Sequence, residues 1–335
     1  MMDIRLMEGI VTAVESIESR RSFVESAVRH WGHDPESVRF LRASANVLFV
    51  YTYRGNRYYL RINHANARPL RMLRAEMQAL RWLGARGVRV AMPAASTAGE
   101  DVVSVDTQFG RLMCVVFCEA PGSHLKFDAL CDEHFVTWGS ELGRLHCQMQ
   151  NMPDATALGR PSYVELLQTA CEHIHPEETH LLRELEEVDT KLSALPKSRA
   201  RFGLIHFDFE LDNLLWDGWR VAVVDFDDCA RLWYAADVIY ALRDLFLGRE
   251  FAASEPRFRL FLEGYRSHTQ FDESDTALLP LFFRLHRLFA IGRLRNALPM
   301  AESPRMQWAD ALCSKLRGYV ELYSEDIRKK TIRIR

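Results

Sequence analysis

Between residues 204 and 228 the chain reads LIHFDFELDNLLWDGWRVAVVDFDD, and this stretch restricts the fold more than any other. Leu214-Leu215-Trp216 and Val221-Ala222-Val223-Val224 are short apolar runs on either side of Asp217-Gly218-Trp219, which carries tight-turn chemistry. Pairing the runs as a hairpin brings Asn213 and Asp225 together at its open end, although they lie 12 residues apart in sequence. Their amide and carboxylate oxygens are hard donors suited to Mg²⁺. Asp208, in the loop that enters the hairpin, is placed to orient a hydroxyl and take its proton, with His206 bracing the loop. Crowded carboxylates oppose one another's ionisation in a low-dielectric cleft, and a divalent cation relieves that repulsion. The bland alternative is that Asp208, Asn213 and Asp225 simply cap turns.

Apolar spacing organises the rest of the chain. Ile10, Val14 and Ile17, then Val24, Val28 and Trp31, recur at helical intervals. The pattern then changes to alternation over SANVLFVYTYRGNRYYLRI, which predicts two strands joined at Arg54-Gly55-Asn56. A helix is expected over residues 70–83, ending near Gly84, and further strands over 102–106 and 111–117. Beyond Pro121 helical spacing dominates: one segment carries Phe135, Trp138, Leu142 and Leu145, another stops at Pro196, and others are predicted at 237–247, 256–266, 279–298 and 307–323. The expected class is α+β, with a mixed α/β part over residues 1–118 and a mostly helical part over 119–335.

Composition narrows the function classes. With 335 residues, 48% of them hydrophobic, the chain buries an ample core without metal or disulfide staples. Seven cysteines without paired spacing suit a reduced, cytoplasmic setting, and Cys114 and Cys118 sit in an apolar run as core thiols. A net charge of -2 argues against a nucleic-acid footprint. No apolar run approaches the roughly 20 residues that span a bilayer, so no membrane association is expected.

His206-x-Asp208-x-x-x-x-Asn213, followed after a short hairpin by Asp225-Phe226-Asp227-Asp228, resembles the catalytic loop and metal-binding segment of the aminoglycoside phosphotransferase and choline kinase superfamily. The resemblance implies a bilobal protein kinase-like fold, with a small antiparallel-sheet lobe and a larger helical lobe. It also implies ATP-dependent phosphoryl transfer to a hydroxyl of a small acceptor, with Asp208 catalytic and Asn213 and Asp225 holding Mg²⁺. Arg61 resembles the strand cation that meets ATP phosphates, and Glu76 its helix partner. Asn46 lies in the place of the nucleotide-covering turn, and Phe117-Cys118-Glu119-Ala120 is similar to the adenine-side hinge. Asp237 resembles the family's later structural aspartate, and His146 is read as part of a hydrogen-bond network.

This chain departs from the family pattern at several positions. Arg61 replaces the usual lysine, Phe207 a common glycine or arginine, Glu210 a common basic residue, and Asp212 a frequent glycine. The acidic loop therefore requires positive charge from Mg²⁺, Arg61 or an arginine elsewhere. Glu210 either receives a cationic acceptor or pairs with an arginine outside the transfer centre. Two alternative functions remain at this point: a stress-response-type serine/threonine protein kinase and a non-catalytic nucleotide-binding regulator.

Overall fold

Val47, Phe49 and Tyr51 are buried, whereas Leu48 and Val50 are half-buried and Thr52 is exposed, as the alternation predicts. The computed structural model describes residues 1–15, 24–157, 159–246, 251–299 and 306–329; the predicted positions Ile17 and residue 247 lie outside these. Helix α1 spans Ile4–Glu15 and α2 Val24–Val28. They precede β1 (Arg39–Ala43), β2 (Val47–Tyr53), β3 (Asn56–His64), α3 (Leu70–Gly84), β4 (Pro93–Ala94), β5 (Val103–Thr107) and β6 (Gly110–Cys118). The strands form one antiparallel sheet in the order β1-β2-β3-β6-β4, with β5 also paired to β6. One face of the sheet, with Phe49, Leu60, Ile62, Cys114 and Val116, joins Met7, Ile10 and Val11 of α1 in a continuous core.

Apart from helical segments of three or four residues, the remaining elements are α4 (Asp132–Gln150), α5 (Tyr163–Cys171), α6 (Thr179–Ser193), β7 (Phe202–Ile205), β8 (Leu214–Asp217), β9 (Arg220–Val223), β10 (Ala230–Trp233), α7 (Tyr234–Ala241), α8 (Pro256–Arg266), α9 (Glu273–Ala297) and α10 (Gln307–Lys329). The predicted hairpin is β8-β9, in the register Leu214↔Val223 to Asp217↔Arg220. A second small sheet pairs β7 with β10. Helices α4 and α8 pack so closely that a Cβ on Gly139 would lie 1.8 Å from the Phe261 carbonyl, and one on Gly264 1.8 Å from that of Val136.

The chain separates into two units that interleave in sequence. The first takes Met1–Met77, Ala91–Glu119 and Arg293–Val320; the second takes Gln78–Val90, Ala120–Gly292 and Glu321–Arg335. Ala309, Cys313 and Leu316 of α10 thus complete the core of the first unit. Residues 78–90 are tied into the second: the Val223 N–H donates to the Arg89 carbonyl at 2.8 Å, and Arg144 to that of Gly87 at 2.8 Å. Among the described residues no helix is long and apolar enough to cross a membrane.

Candidate active site

The catalytic-loop candidate begins where β7 ends, and a buried aspartate shapes it. Asp237, on α7 and fully buried, accepts the backbone N–H groups of His206 and Phe207, each at 2.8 Å, and His146 Nε2 at 3.0 Å. Tyr265 Oη meets the other nitrogen of His146 at 2.8 Å. This network assigns Asp237 and His146 the structural roles expected of them. Trp138 of α4 fixes the far side of the loop by donating to the Phe209 carbonyl at 3.1 Å.

His206 is completely buried. Its Nε2 donates to the Val224 carbonyl at 3.1 Å, while Nδ1 accepts the Asp208 N–H at 3.2 Å. These partners require a neutral ring, and burial holds its pKa below the usual histidine value against the pull of Asp237 and Asp208. His206 is therefore a positioning residue that couples the loop to the strand leading to Asp225. Phe207 adopts φ 74°, a left-handed backbone favouring glycine, and its ring packs on Tyr240, His286 and Phe289.

The β8-β9 ladder continues one step beyond the strands, because the Val224 N–H donates to the Asn213 carbonyl at 3.0 Å. Asn213 and Asp225 therefore flank the open end of the hairpin. Asn213 is buried, and its Nδ2 donates to the Asp208 carbonyl at 2.9 Å and to Asp208 Oδ2 at 3.0 Å, which orients Oδ1 as the remaining acceptor. Asp225 also has a left-handed backbone, φ 62°. Arg160, buried, donates to the Cys229 carbonyl at 2.7 Å and to that of Asp227, fastening the segment after Asp225. Two hard oxygen groups at one hairpin end fit the donor chemistry of Mg²⁺. Among the described residues no group of three or more His, Cys, Asp or Glu side chains makes a separate metal cluster.

Arg243 lies just after α7, outside the sequence motifs that mark the site. One terminal nitrogen lies 2.8 Å from Asp208 Oδ1, and the other bonds Glu210 Oε2. Glu210 is therefore paired with an arginine, but one at the candidate transfer centre rather than outside it. Burial, then the charge of Asp208, raises the Glu210 carboxyl above its ordinary value, and the Arg243 guanidinium bonded to it pulls the other way. Burial works against the Arg243 charge, but Asp208, Glu210 and Asp244 hold its pKa above the ordinary arginine value. Beside this cluster lies a cavity of about 440 Å³, lined by Glu210, Asp212 and Asp244 and also by Lys126, His124 and Trp138 among others.

In the first unit Arg61 Nη2 meets Glu76 Oε2 at 2.6 Å, with side chains 4% and 0% exposed. Taken alone, the two residues read as an ordinary surface pair; the structure instead buries them, with Arg61 also over the Phe117 ring. Asn46 is buried in the β1-β2 turn, where its carbonyl accepts the Ser44 N–H at 3.1 Å. Glu119 pairs with Arg57 at 2.8 Å, and its backbone N–H donates to the Arg57 carbonyl. The Cys118 N–H is likewise engaged, with the Met92 carbonyl at 2.8 Å.

Arg160 and Arg243 have no motif-like spacing to Asp208, and the helical period marks Trp138 only as a core position of α4. Arg243 and Asp208 are 35 positions apart, and ALRDLF looks like an ordinary helix end. The surplus of acid in the loop was the available signal, since a buried carboxylate cluster demands a cation.

Comparison with known proteins bears on the family and the fold. An amicoumacin kinase of Bacillus subtilis (strain 168) is 25% identical over 297 residues, covering 84% of this chain and 87% of that protein. Among solved structures, an amicoumacin kinase in complex with AMP-PNP, Ca2+ and Ami superposes with a TM-score of 0.79 at 24% identity, covering 97% of this chain and 96% of that one. A microcompartment-associated aminopropanol kinase gives a TM-score of 0.69 at 24% identity, with 93% and 99% covered. The description of the phosphotransferase enzyme family matches residues 37–271, which include the catalytic-loop candidate, the β8-β9 hairpin and Arg243, and this chain belongs to that family.

Proposed function

We propose that this protein is a cytoplasmic, ATP- and Mg²⁺-dependent kinase that transfers the γ-phosphoryl group to a hydroxyl of a small, amine-bearing acceptor. The observation that supports the reading is the contact of Asp208 Oδ2 with Asn213 Nδ2 at 3.0 Å, at a hairpin end whose other strand runs through Val224, bonded to the Asn213 carbonyl, to Asp225. Asn213 Oδ1 and the Asp225 carboxylate would hold the cation. When bound, Mg²⁺ supplies charge neutralisation for the β- and γ-phosphate oxygens. Asp208 orients the acceptor hydroxyl and takes its proton as the new O–P bond forms; the bond from phosphorus to the β,γ-bridging oxygen breaks, and ADP leaves with that electron pair. Arg61, held by Glu76, is assigned to phosphate charge, Asn46 to the turn beside the nucleotide, and Glu119 to its adenine side. Three carboxylates against one lysine around the 440 Å³ cavity suit an ammonium group near the reacting hydroxyl, and an aminopropanol kinase among the structural neighbours is consistent with that choice.

The test is an assay of Mg·ATP against amino alcohols, aminoglycosides and neutral diols, followed by mass spectrometry of the products. A product heavier by one phosphoryl group, formed by the native protein but not by Asp208→Asn, is the expected result. Phosphate recovered only on protein hydroxyls, or turnover unchanged in Asp208→Asn, refutes the reading.

A further inference from the structure

We propose that Arg243 is a positioning and specificity-determining residue for phosphoryl transfer, supplying from α7's exit the positive charge that the catalytic loop itself lacks. The proposal rests on Asp208 being the catalytic carboxylate. From residue 206 to residue 213 the loop holds Asp208, Glu210 and Asp212 but no lysine or arginine, and its one histidine is buried and neutral. Asp244 adds a fourth carboxylate on the wall of the adjoining cavity.

Arg243 meets this charge with a planar fork. One terminal nitrogen is 2.8 Å from Asp208 Oδ1 and the other is bonded to Glu210 Oε2. Asn213 Nδ2 holds the opposite oxygen of Asp208 at 3.0 Å. The Asp208 carboxylate is thus gripped through both oxygens, which fixes its plane and leaves further lone pairs for an incoming hydroxyl. Only a guanidinium presents two parallel donors in a rigid plane; a lysine ammonium offers one compact charge that cannot hold both carboxylates in the same register.

This arrangement has two consequences. Without the fork, Asp208 loses its fixed orientation, so turnover falls even when the acceptor is bound. The cavity wall also becomes more negative, so an amine-bearing acceptor binds more tightly while a neutral one gains nothing. A residue that merely supported the fold would not lower kcat and, at the same time, lower KM for the amine-bearing acceptor alone.

The test uses three acceptors with Mg·ATP: 1-amino-2-propanol, 1,2-propanediol, and water in the absence of either. Arg243→Ala is expected to lower kcat by about 10- to 100-fold, the worth of a hydrogen bond between charged groups, while KM for 1-amino-2-propanol falls and that for 1,2-propanediol does not. Added guanidinium should restore part of the rate. Arg243→Lys should recover less than the native rate, and Glu210→Gln combined with Arg243→Ala should exceed Arg243→Ala alone, because one of the repelling carboxylates is gone. If the protein accepts neither alcohol, the turnover, guanidinium and double-variant comparisons are read from ATP hydrolysis with water as acceptor. Mg·AMP-PNP affinity and melting temperature serve as controls for folding. The proposal is overturned if Arg243→Ala turns over within threefold of the native protein, or if neither guanidinium nor Glu210→Gln improves a well-folded Arg243→Ala. Native turnover in Asp208→Asn instead defeats the underlying assignment of Asp208 and is read separately.

Discussion

Phe207 sits one residue before the candidate catalytic carboxylate in a backbone conformation that costs a side-chain-bearing residue about 1 to 2 kcal/mol. Its ring offsets that cost by packing on Tyr240 at 5.0 Å and Phe289 at 5.4 Å between centroids. Phe207→Ala keeps the strained backbone and empties the ring's place, so a loss of about 3 to 5 kcal/mol is expected. Phe207→Gly empties the same place but removes the strain, and should be the more stable of the two, which reverses the usual order of alanine and glycine. Urea unfolding of both variants measures the difference; a glycine variant less stable than the alanine one contradicts the strain argument. Glu76 offers a second prediction at this scale. Its carboxylate is fully buried against Arg61, so Glu76→Ala breaks a buried ion pair and should cost about 3 to 5 kcal/mol. A loss below about 1 kcal/mol by the same measurement, the size expected of an exposed pair, would show that the pair is hydrated in solution.

Among the elements, those whose burial follows a regular period were legible in sequence and those fixed by neighbours were not. The β2-β3 hairpin shows alternation, and α4 carries buried Phe135, Trp138, Leu142 and Leu145, so both could be read directly. Strand β1 escaped because Arg39–Arg42 are all exposed, and β10 because it is a four-residue run identified only by its pairing with β7. Helix α9 begins at Glu273 rather than at the predicted residue 279. Asp272 accepts the N–H groups of Ser274 and Asp275 at 2.8 and 3.2 Å, which starts the helix before its apolar spacing does. The α4-α8 crossing was equally invisible, since it depends on glycines on both helices. Gly264→Ala would place a methyl 1.8 Å from the Val136 carbonyl, forcing the helices apart at a cost of about 1 to 3 kcal/mol or more. Trp138 lies two residues from Val136 and holds the Phe209 carbonyl, so the same variant should slow turnover. Melting temperature and kcat should fall together, and a lower melting temperature with unchanged kcat would separate the crossing from the loop.

For the molecule as a whole, the switch from alternating to helical apolar spacing near residue 119 suggests one boundary, whereas compactness assigns residues 78–90 to the second unit. No local signal reveals this, because α3 runs without interruption from Leu70 to Gly84 and the ties of residues 78–90 are long-range hydrogen bonds. Trp82 Nε1 donates to the Gln148 carbonyl at 3.3 Å, Arg144 to that of Gly87 at 2.8 Å, and Val223 to that of Arg89 at 2.8 Å. The last bond lies on β9, whose next residues, Val224 and Asp225, carry the candidate cation ligand. A fragment of residues 119–335 thus lacks partners for α4 and for the strand that positions Asp225. The same fragment with residues 78–90 joined to its N-terminus through a flexible linker regains them, and each restored hydrogen bond contributes about 0.5 to 1.5 kcal/mol. The linked fragment is expected to melt cooperatively at the higher temperature, with Val223 amide exchange slowed relative to the shorter fragment. Equal melting and equal Val223 exchange in the two fragments would mean that residues 78–90 are passengers in the second unit, and that the β8-β9 hairpin orients Asn213 and Asp225 without them.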